Sequence, residues 1–242
     1  MNRGNEKYAL RGSADAIAFI KYNLPGICVV PKHKEVRTVN SGKVLKRERI
    51  ETELDHIFDY PLTIVSATMG YGKTTAVRMY LDKRNIQTIW ISLLGSDGDE
   101  TVFWHKLSRA VGRLYPKTGG QLDLSGFPVN ARQLASVIDL FWELDDGAPA
   151  ALVLDDYHAI EQNTQVVRLL EQLVREEIPG LHIVLISRTW PKINRIDLLS
   201  KGLCFELDTG TLAFTQREVQ EYCSYMDFSA TSVEIEKIHR LT

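Results

Sequence analysis

Short runs that are apolar at nearly every position alternate along the chain with segments whose apolar residues recur every three or four positions. Strand length and composition predict five strands, at 62–66, 86–92, 151–155, 182–187 and 203–207. Runs of this kind suit strands that are buried on both faces, which is the usual state of strands in a parallel sheet. The pattern therefore predicts a mainly parallel five-stranded sheet.

Helical periodicity fills the segments between these runs, at 50–58, 73–83, 99–114, 130–144 and 164–177. Asn130 is a predicted N-cap, and Thr215 with Glu218 forms a capping box for a further helix through Tyr225. Another helix is predicted to begin at Ser232. Residues 115–129 are rich in Pro and Gly and are predicted to form a loop. Strands alternating with helices indicate an α/β fold with helices on both faces of the sheet.

The first 43 residues give a weaker pattern, with one short helix predicted at 14–19. Residues 1–50 carry 11 Lys or Arg and 4 Asp or Glu, whereas residues 51–242 carry 18 basic and 27 acidic residues, a net charge of −9. A basic segment therefore precedes an acidic body. We interpret residues 1–43 as a basic N-terminal extension that is solvated or forms an edge element, with phosphate or DNA binding as the alternative.

Composition narrows the class of protein. The 242 residues are 44% hydrophobic and 25% charged, which is typical of a globular protein, and a net charge of −2 argues against a protein that coats nucleic acid. Three cysteines without CxxC spacing argue against a zinc site or a disulfide framework. No apolar stretch approaches the roughly 20 residues needed to cross a bilayer, and no secretory signal is evident. We expect a cytoplasmic protein without a membrane partner.

The richest motif follows the first predicted strand and opens the next helix, as Gly70-Tyr71-Gly72-Lys73-Thr74-Thr75. It matches the tail of a Walker A phosphate-binding loop, with Ala67 where the first Gly usually stands. Glycines let the backbone turn its N–H groups inward, and these groups form an anion-binding nest at a helix N-terminus. The alternative is an ordinary strand–turn–helix. A lysine in the first helical turn opposes the helix dipole unless an anion is bound, so we favour nucleotide binding.

The residue types in this motif suggest separate roles. Lys73 can reach the β- and γ-phosphates of ATP or ADP, Thr74 can offer its hydroxyl to Mg²⁺, and Thr75 lies near the α-phosphate. Gly70, Tyr71 and Gly72 supply the backbone of the cradle. The predicted cofactors are therefore ATP or ADP with Mg²⁺.

A second acidic motif ends the third predicted strand, where Asp155 and Asp156 follow Leu154. This is the form of a Walker B element, in which Asp155 holds the Mg²⁺ shell and Asp156 orients a water molecule. The alternative is a solvated acidic turn. Many fast ATPases carry Glu at the second position, and Asp is shorter by one methylene, so we expect slow hydrolysis.

Arg188 leaves the end of the fourth predicted strand and can reach a γ-phosphate as a sensor, the alternative being a surface ion pair. His158 is more consistent with a structural role than with direct catalysis. A strand and helix at 86–114 separate the two nucleotide motifs along the chain. This spacing favours the branch of P-loop proteins in which another strand lies between the Walker A and Walker B strands.

The string from Pro61 to Thr75 resembles the nucleotide-binding domain of MalT-like activators. These activators are LuxR-type transcriptional regulators of the STAND class of signalling ATPases. The resemblance spans about residues 44–242. Its other segments are 90–93, 103–104, 152–158, 187–191, 208–214 as the family's last core strand, and 215–219 as the start of its helical lid. By resemblance, Arg47 and Arg49 belong to an entry segment that helps to surround the nucleotide.

The resemblance implies a division into a basic extension (1–43), a P-loop NTPase core (44–214) and the start of a helical lid (215–242). It also implies a switch, in which an ATP form self-associates in response to an unknown small-molecule inducer and activates transcription. The family's sensor and helix-turn-helix domains have no counterpart in this chain, so DNA would be a partner only through a C-terminal domain. We therefore expect an N-terminal fragment or a truncated product with weak ATPase activity.

Two other functions remain open at this level. A steadily turning-over ATPase of helicase-like or transport type is the first, because Asp155-Asp156-Tyr157-His158 superficially resembles a DExH box. No basic stripe supports it. A partner-binding module with a degenerate loop is the second, and the intact Gly72-Lys73-Thr74-Thr75 argues against it.

Overall fold

A computed structural model of the chain describes residues 45–144, 147–226 and 229–240. Its five strands pair in one sheet, all in parallel, in the order β2-β3-β4-β1-β5. The strands are β1 (Leu62–Ser66), β2 (Gln87–Ser92), β3 (Ala150–Asp155), β4 (Leu181–Ser187) and β5 (Cys204–Leu207). The predicted α/β fold with a five-stranded sheet is confirmed.

Helices connect the strands and continue beyond the last of them. They are α1 (Glu48–Leu54), α2 (Lys73–Lys83), α3 (Glu100–Gly112), α4 (Pro116–Ser125), α5 (Ala131–Trp142), α6 (Thr164–Arg175), α7 (Arg195–Ser200), α8 (Thr209–Leu212), α9 (Gln216–Tyr225) and α10 (Ser232–His239). Short 3₁₀ turns lie at Asp55–Asp59, Gly95–Gly98 and Tyr157–Ala159. The Asn130 side chain accepts a hydrogen bond from the backbone N–H of Gln133, so the predicted cap of α5 is confirmed.

Burial follows the position of each strand in the sheet. Every residue of the inner strands β1 and β3 is buried, whereas the edge strands β2 and β5 contain several partly exposed positions. The apolar faces of the flanking helices complete the core, with Phe103, Leu107, Phe141 and Leu170 almost fully buried. Each such side chain contributes roughly 1.5–3 kcal/mol by leaving water.

The strand order agrees with the predicted branch of P-loop proteins. β4 lies between β1, which precedes the predicted Walker A loop, and β3, which ends in the predicted Walker B acids. The strand that separates the two motifs along the sequence, β2, instead takes the edge beside β3. Sequence order and spatial order therefore differ in this sheet.

The loop predicted at 115–129 is wrong over most of its length, because α4 occupies residues 116–125. Pro116 stands at the first helical position, where a missing N–H costs nothing. The indole Nε1 of Trp104 donates a 2.7 Å hydrogen bond to the carbonyl oxygen of Leu122. Long-range packing against α3 therefore outweighs the low helix propensity of Gly119 and Gly120.

The strand expected within 208–214 by resemblance is also wrong, because α8 lies there. Asp208 Oδ1 accepts hydrogen bonds from the backbone N–H of Thr211 at 2.8 Å and from its hydroxyl at 2.9 Å. These local bonds favour a helical turn over an extended strand. The last strand is β5, and it ends before Asp208.

The chain divides into two compact units. The core unit comprises residues 48–68 and 73–212 and contains the whole sheet. The flanking unit, among the described residues, comprises 45–47, 69–72, 213–226 and 229–240.

Helices α9 and α10 give the flanking unit a small core of its own, formed by Val219, Tyr222, Cys223, Ile235 and Ile238. The capping box predicted from Thr215 and Glu218 is confirmed: the N–H of Glu218 donates to the Thr215 hydroxyl, and the N–H of Thr215 donates to the Glu218 carboxylate. The predictions for residues 1–43, including the helix at 14–19, lie outside the described residues. Across the described ranges, no helix has the length and apolar character needed to span a membrane.

Candidate functional site

The carboxyl ends of the inner strands meet at one edge of the core unit. Ser66 at the end of β1 is in register with Ser187 at the end of β4, and Asp155 at the end of β3 is in register with Ile186. Asp156 and Arg188, which follow β3 and β4, consequently emerge at neighbouring points. In open parallel sheets, ligands bind at this edge.

Lys73 opens α2 and its amine is held within the core unit. The side-chain Nζ donates to the carbonyl oxygens of Ala67 at 2.7 Å and Thr68 at 3.0 Å. Burial lowers the pKa of Lys73 from its ordinary value, and the negative charges of Asp156 and Asp155 oppose that shift. The two carboxyl groups therefore favour a protonated, cationic lysine at this edge.

Thr74 and Asp155 are joined directly, although 81 positions separate them in the sequence. The Thr74 hydroxyl donates a 2.9 Å hydrogen bond to Asp155 Oδ1, which also accepts from the backbone N–H of Asp156 at 3.1 Å. Burial raises the pKa of the Asp155 carboxyl, and the bond from Thr74 opposes that rise. Two oxygen groups predicted to share a metal ion are thus adjacent.

Asp156 connects the acidic motif to Arg188. Its backbone is left-handed, with φ 59° and ψ 41°, a conformation that Asp tolerates better than most residues. Asp156 Oδ1 lies 3.4 Å from Arg188 Nε and 3.8 Å from His158 Nδ1. All four residues predicted to be catalytic, Lys73, Asp155, Asp156 and Arg188, are therefore brought to the same edge of the sheet.

The four residues between Thr68 and Lys73 form the glycine turn of the motif. Gly70 has φ 104° and Gly72 has φ 71°, values that residues with a Cβ rarely adopt. An added Cβ at Gly72 would meet no atom within 4 Å, so backbone conformation rather than space requires this glycine. Tyr71 is half-buried and Met69 is exposed.

The two arginines expected around the nucleotide by resemblance are engaged by the protein itself. In the flanking unit, Arg47 pairs with the Glu218 carboxylate at 3.1 Å, donates to the carbonyl oxygen of Ala213 at 2.8 Å and stacks on the Phe214 ring. In the core unit, Arg49 Nη1 donates to the carbonyl oxygen of Thr211 at 2.5 Å. Thr75, the remaining predicted binding residue, is half-buried in the first turn of α2.

One residue near the acids was not found from the sequence. The Arg78 guanidinium stacks on the Trp90 ring of β2, 4.2 Å from its centroid, and its positive charge opposes the rise that burial causes in the pKa of Asp155. Arg78 lies four positions after Thr74, so it shares a face of α2 with that threonine. In the sequence, this spacing from Thr74 was the signal that could have identified Arg78.

The Thr74–Asp155 pair suits Mg²⁺. This ion prefers oxygen ligands, keeps several waters, and usually takes one or two protein groups together with substrate phosphates. Within the described ranges, no group of three or more His, Cys, Asp or Glu could hold a metal by itself. A hydroxyl and a buried carboxylate fit an ion that completes its coordination from a nucleotide.

Comparison with known proteins finds relatives among bacterial regulators. The chain is 28% identical over 191 residues to the HTH-type transcriptional regulator MalT of Klebsiella pneumoniae and 30% identical over 191 residues to that of Serratia proteamaculans. Each alignment covers 77% of this chain and 21% of the relative. The chain therefore spans about a fifth of the length of the curated relatives it matches. No family model matches the chain.

A weaker similarity relates the structure to a Walker-type ATPase of Pyrococcus abyssi. The TM-score is 0.46 at 15% sequence identity, over 80% of this chain and 62% of the archaeal one. The α/β assignment rests instead on the strand order and the register described above.

Proposed function

Because the chain is a homologue of the HTH-type transcriptional regulators named MalT over 77% of its length, we propose that it is the ATP- and ADP-binding switch domain of such a regulator. The contact that carries this proposal is the 2.9 Å hydrogen bond from the Thr74 hydroxyl to Asp155 Oδ1. It joins the two predicted nucleotide motifs at the carboxyl edge of the sheet, which is the edge where ligands bind in open parallel sheets.

In this proposal the Lys73 ammonium group binds the β- and γ-phosphates. It has three N–H donors, of which two are used by the carbonyl oxygens of Ala67 and Thr68 among the described residues. The third donor is available to a phosphate oxygen. A charge-assisted bond of this type contributes more than a neutral one, so Lys73 should dominate affinity for the phosphate tail.

Thr74 and Asp155 would hold Mg²⁺, which supplies charge neutralisation at the phosphates when it is bound. The carboxylate of Asp155 is buried, and its raised pKa reflects the cost of an uncompensated negative charge. A divalent cation compensates that charge. Metal and nucleotide should therefore bind cooperatively rather than independently.

The position of Asp156 supports the proposal that hydrolysis is slow. Its carboxylate would accept a hydrogen bond from an attacking water, but the same oxygen faces Arg188 at 3.4 Å. In the proposed hydrolysing state, Arg188 turns from Asp156 to the γ-phosphate, which leaves the carboxylate available to the water. This exchange of partners and the short side chain of Asp both favour a switch over an efficient ATPase.

The division into an NTPase core at 44–214 and a helical lid that starts at 215 belongs to the same proposal. So do the cytoplasmic location, self-association of the ATP form and control by a small-molecule inducer. The relatives are named for a helix-turn-helix. We assign DNA contact to the parts of their length that lie outside the match.

Calorimetric titration of the purified chain with ATP and ADP, each with Mg²⁺, tests the proposal. Lys73→Ala should weaken binding of both nucleotides by about 100-fold, because it removes a charged donor worth about 3 kcal/mol. Lys83→Ala is the matched control, since Lys83 ends the same helix and pairs with Glu51 at 2.6 Å. Failure of the wild-type chain to bind either nucleotide, or equal binding by the two variants, would reject the proposal.

Phosphate release measured on the same preparation separates the switch from a steadily turning-over ATPase. A switch domain should release phosphate slowly, and added nucleic acid should not change the rate. Strong stimulation by DNA or RNA would instead favour the helicase-like function.

A further inference from the structure

A concave site lies in the core unit away from the predicted nucleotide motifs. It is a cleft of about 810 Å³ between α3 and α4, which we call the α3–α4 cleft. Its volume lies within the range of about 300–1,000 Å³ that is usual for small-molecule sites. Its lining includes His105, Arg109, Gly112, Arg113, Gly120 and Asp123.

Two arginines at the end of α3 provide the positive charge of the cleft: Arg109 lies in its last turn, and Arg113 is its C-cap residue. Arg109 and Arg113 are one helical turn apart, so their side chains leave the same face of the helix, and both are exposed. No carboxylate within residues 45–144, 147–226 or 229–240 forms an ion pair with either of them. Paired guanidinium groups match the planar oxygen pairs of phosphates and bind them bidentately.

The acidic residue of the cleft is already engaged. Asp123 Oδ1 accepts from His105 Nδ1 at 2.9 Å and from the Ser108 hydroxyl at 3.2 Å. These bonds hold the carboxylate on the side of the cleft that faces the start of α3. Asp123 therefore offsets part of the positive charge without bridging to either arginine.

Gly112 and Gly119, which both line the cleft, bring the backbones of α3 and α4 close together. A Cβ added at Gly119 would overlap the backbone of Gly112 and come within 2.8 Å of the carbonyl oxygen of Ser108, so the two helices touch at this point. A Cβ added at Gly120 would meet no atom within 4 Å. Close packing of the two helices explains why Gly119 is a glycine. The open space over Gly120 leaves room for a ligand.

We propose that the α3–α4 cleft binds a small phosphate monoester, with the phosphate on Arg109 and Arg113 and the organic group over Gly120. The volume exceeds what inorganic phosphate needs, which favours a phosphorylated organic molecule over the free ion. Residues 51–242 carry a net charge of −9, so the body of the chain lacks the extended positive field that a nucleic-acid backbone requires. The site is independent of the proposed nucleotide switch.

Titration of the isotopically labelled chain with phenyl phosphate, followed by amide NMR, tests the inference. The amide signals of Gly119 and Gly120 should shift in a saturable way. The signals of Gly70 and Gly72 report separately on the nucleotide motif, so failure at one site is distinguishable from failure at the other. Arg109→Gln combined with Arg113→Gln should weaken binding in the cleft at least tenfold.

Two further variants make the test specific. Arg132→Gln removes an exposed arginine from α5 and should leave the cleft titration unchanged. Gly120→Leu keeps both arginines but fills the open space, so phenyl phosphate binding should be lost. An unchanged affinity in the double arginine variant would overturn the inference. Binding of a DNA duplex through Arg109 and Arg113, without binding of phenyl phosphate, would also overturn the inference.

Discussion

At the scale of single residues, the Asp155 carboxyl is 7% exposed at the end of β3, and burial raises its pKa above the ordinary value. The folded chain therefore pays a free-energy penalty to keep this group ionised. A raised folded-state pKa means that wild-type stability falls as the pH rises from the ordinary carboxyl value through the raised one. The proposed Mg²⁺-binding role of Asp155 therefore conflicts with stability at this position.

Asp155→Asn should therefore stabilise the ligand-free chain at pH 7. Asparagine removes the charge and keeps an oxygen that can accept from the Thr74 hydroxyl and from the N–H of Asp156. We expect the melting temperature to rise by roughly 2–4 °C, which corresponds to about 1 kcal/mol in a chain of this size. The gain should shrink as the pH falls toward the ordinary carboxyl range, because the raised pKa lets the folded wild-type chain protonate Asp155 before an ordinary carboxyl would.

Asp156→Asn is the control for this prediction. The Asp156 side chain is 48% exposed, and asparagine tolerates its left-handed backbone as well as aspartate does. Its melting temperature should stay close to that of the wild type. A matching rise in both variants, or a gain that does not depend on pH, would contradict the assignment to burial of Asp155.

At the scale of elements, the two glycines that concealed α4 in the sequence differ in their effect on its stability, because only Gly119 is required by close packing. Gly119→Ala should destabilise the chain by about 1–3 kcal/mol, because a Cβ would overlap the Gly112 backbone and force α3 and α4 apart. Gly120→Ala should stabilise it by about 0.5–1 kcal/mol, since the site is open and Ala is the better helix former. Urea unfolding of both variants measures the two changes. Equal changes in stability at the two positions would show that helix propensity alone determines the effect of each substitution.

At the scale of the whole chain, an ion pair joins two residues 171 positions apart within the flanking unit. Arg47 and Glu218 each have side chains that are 10% exposed, and Glu218 also closes the capping box of α9. Breaking a buried pair leaves one charge without compensation, which is costly, whereas removing both charges together costs less. The distant entry segment therefore stabilises the C-terminal helices.

Arg47→Met should destabilise α9 and α10 by about 3 kcal/mol. The combination with Glu218→Gln should recover part of that loss, because no charge is then left unpaired. Hydrogen exchange of amides in α9 and α10 measures both effects. The control is Arg217→Gln, which removes an exposed pair with Glu221 and should change stability by less than about 0.5 kcal/mol. Additive losses in the double variant would contradict a coupled pair.

Sequence alone determined the features that depend on neighbouring residues. Five apolar runs predicted the five strands, and Thr215 with Glu218 predicted the cap of α9, because both signals are local. The string from Gly70 to Thr75 indicated the glycine turn for the same reason, since positive φ angles are a property of the residue type.

Tertiary structure decided what depends on distant partners. It placed β4 rather than β2 between the strands of the two motifs, joined Thr74 to Asp155, and paired Arg47 with Glu218. It also formed α4, whose two glycines disfavour a helix until Gly119 packs on Gly112. Local signals report the preferences of a segment by itself, whereas contacts across many residues arise only when the folded chain brings those segments together.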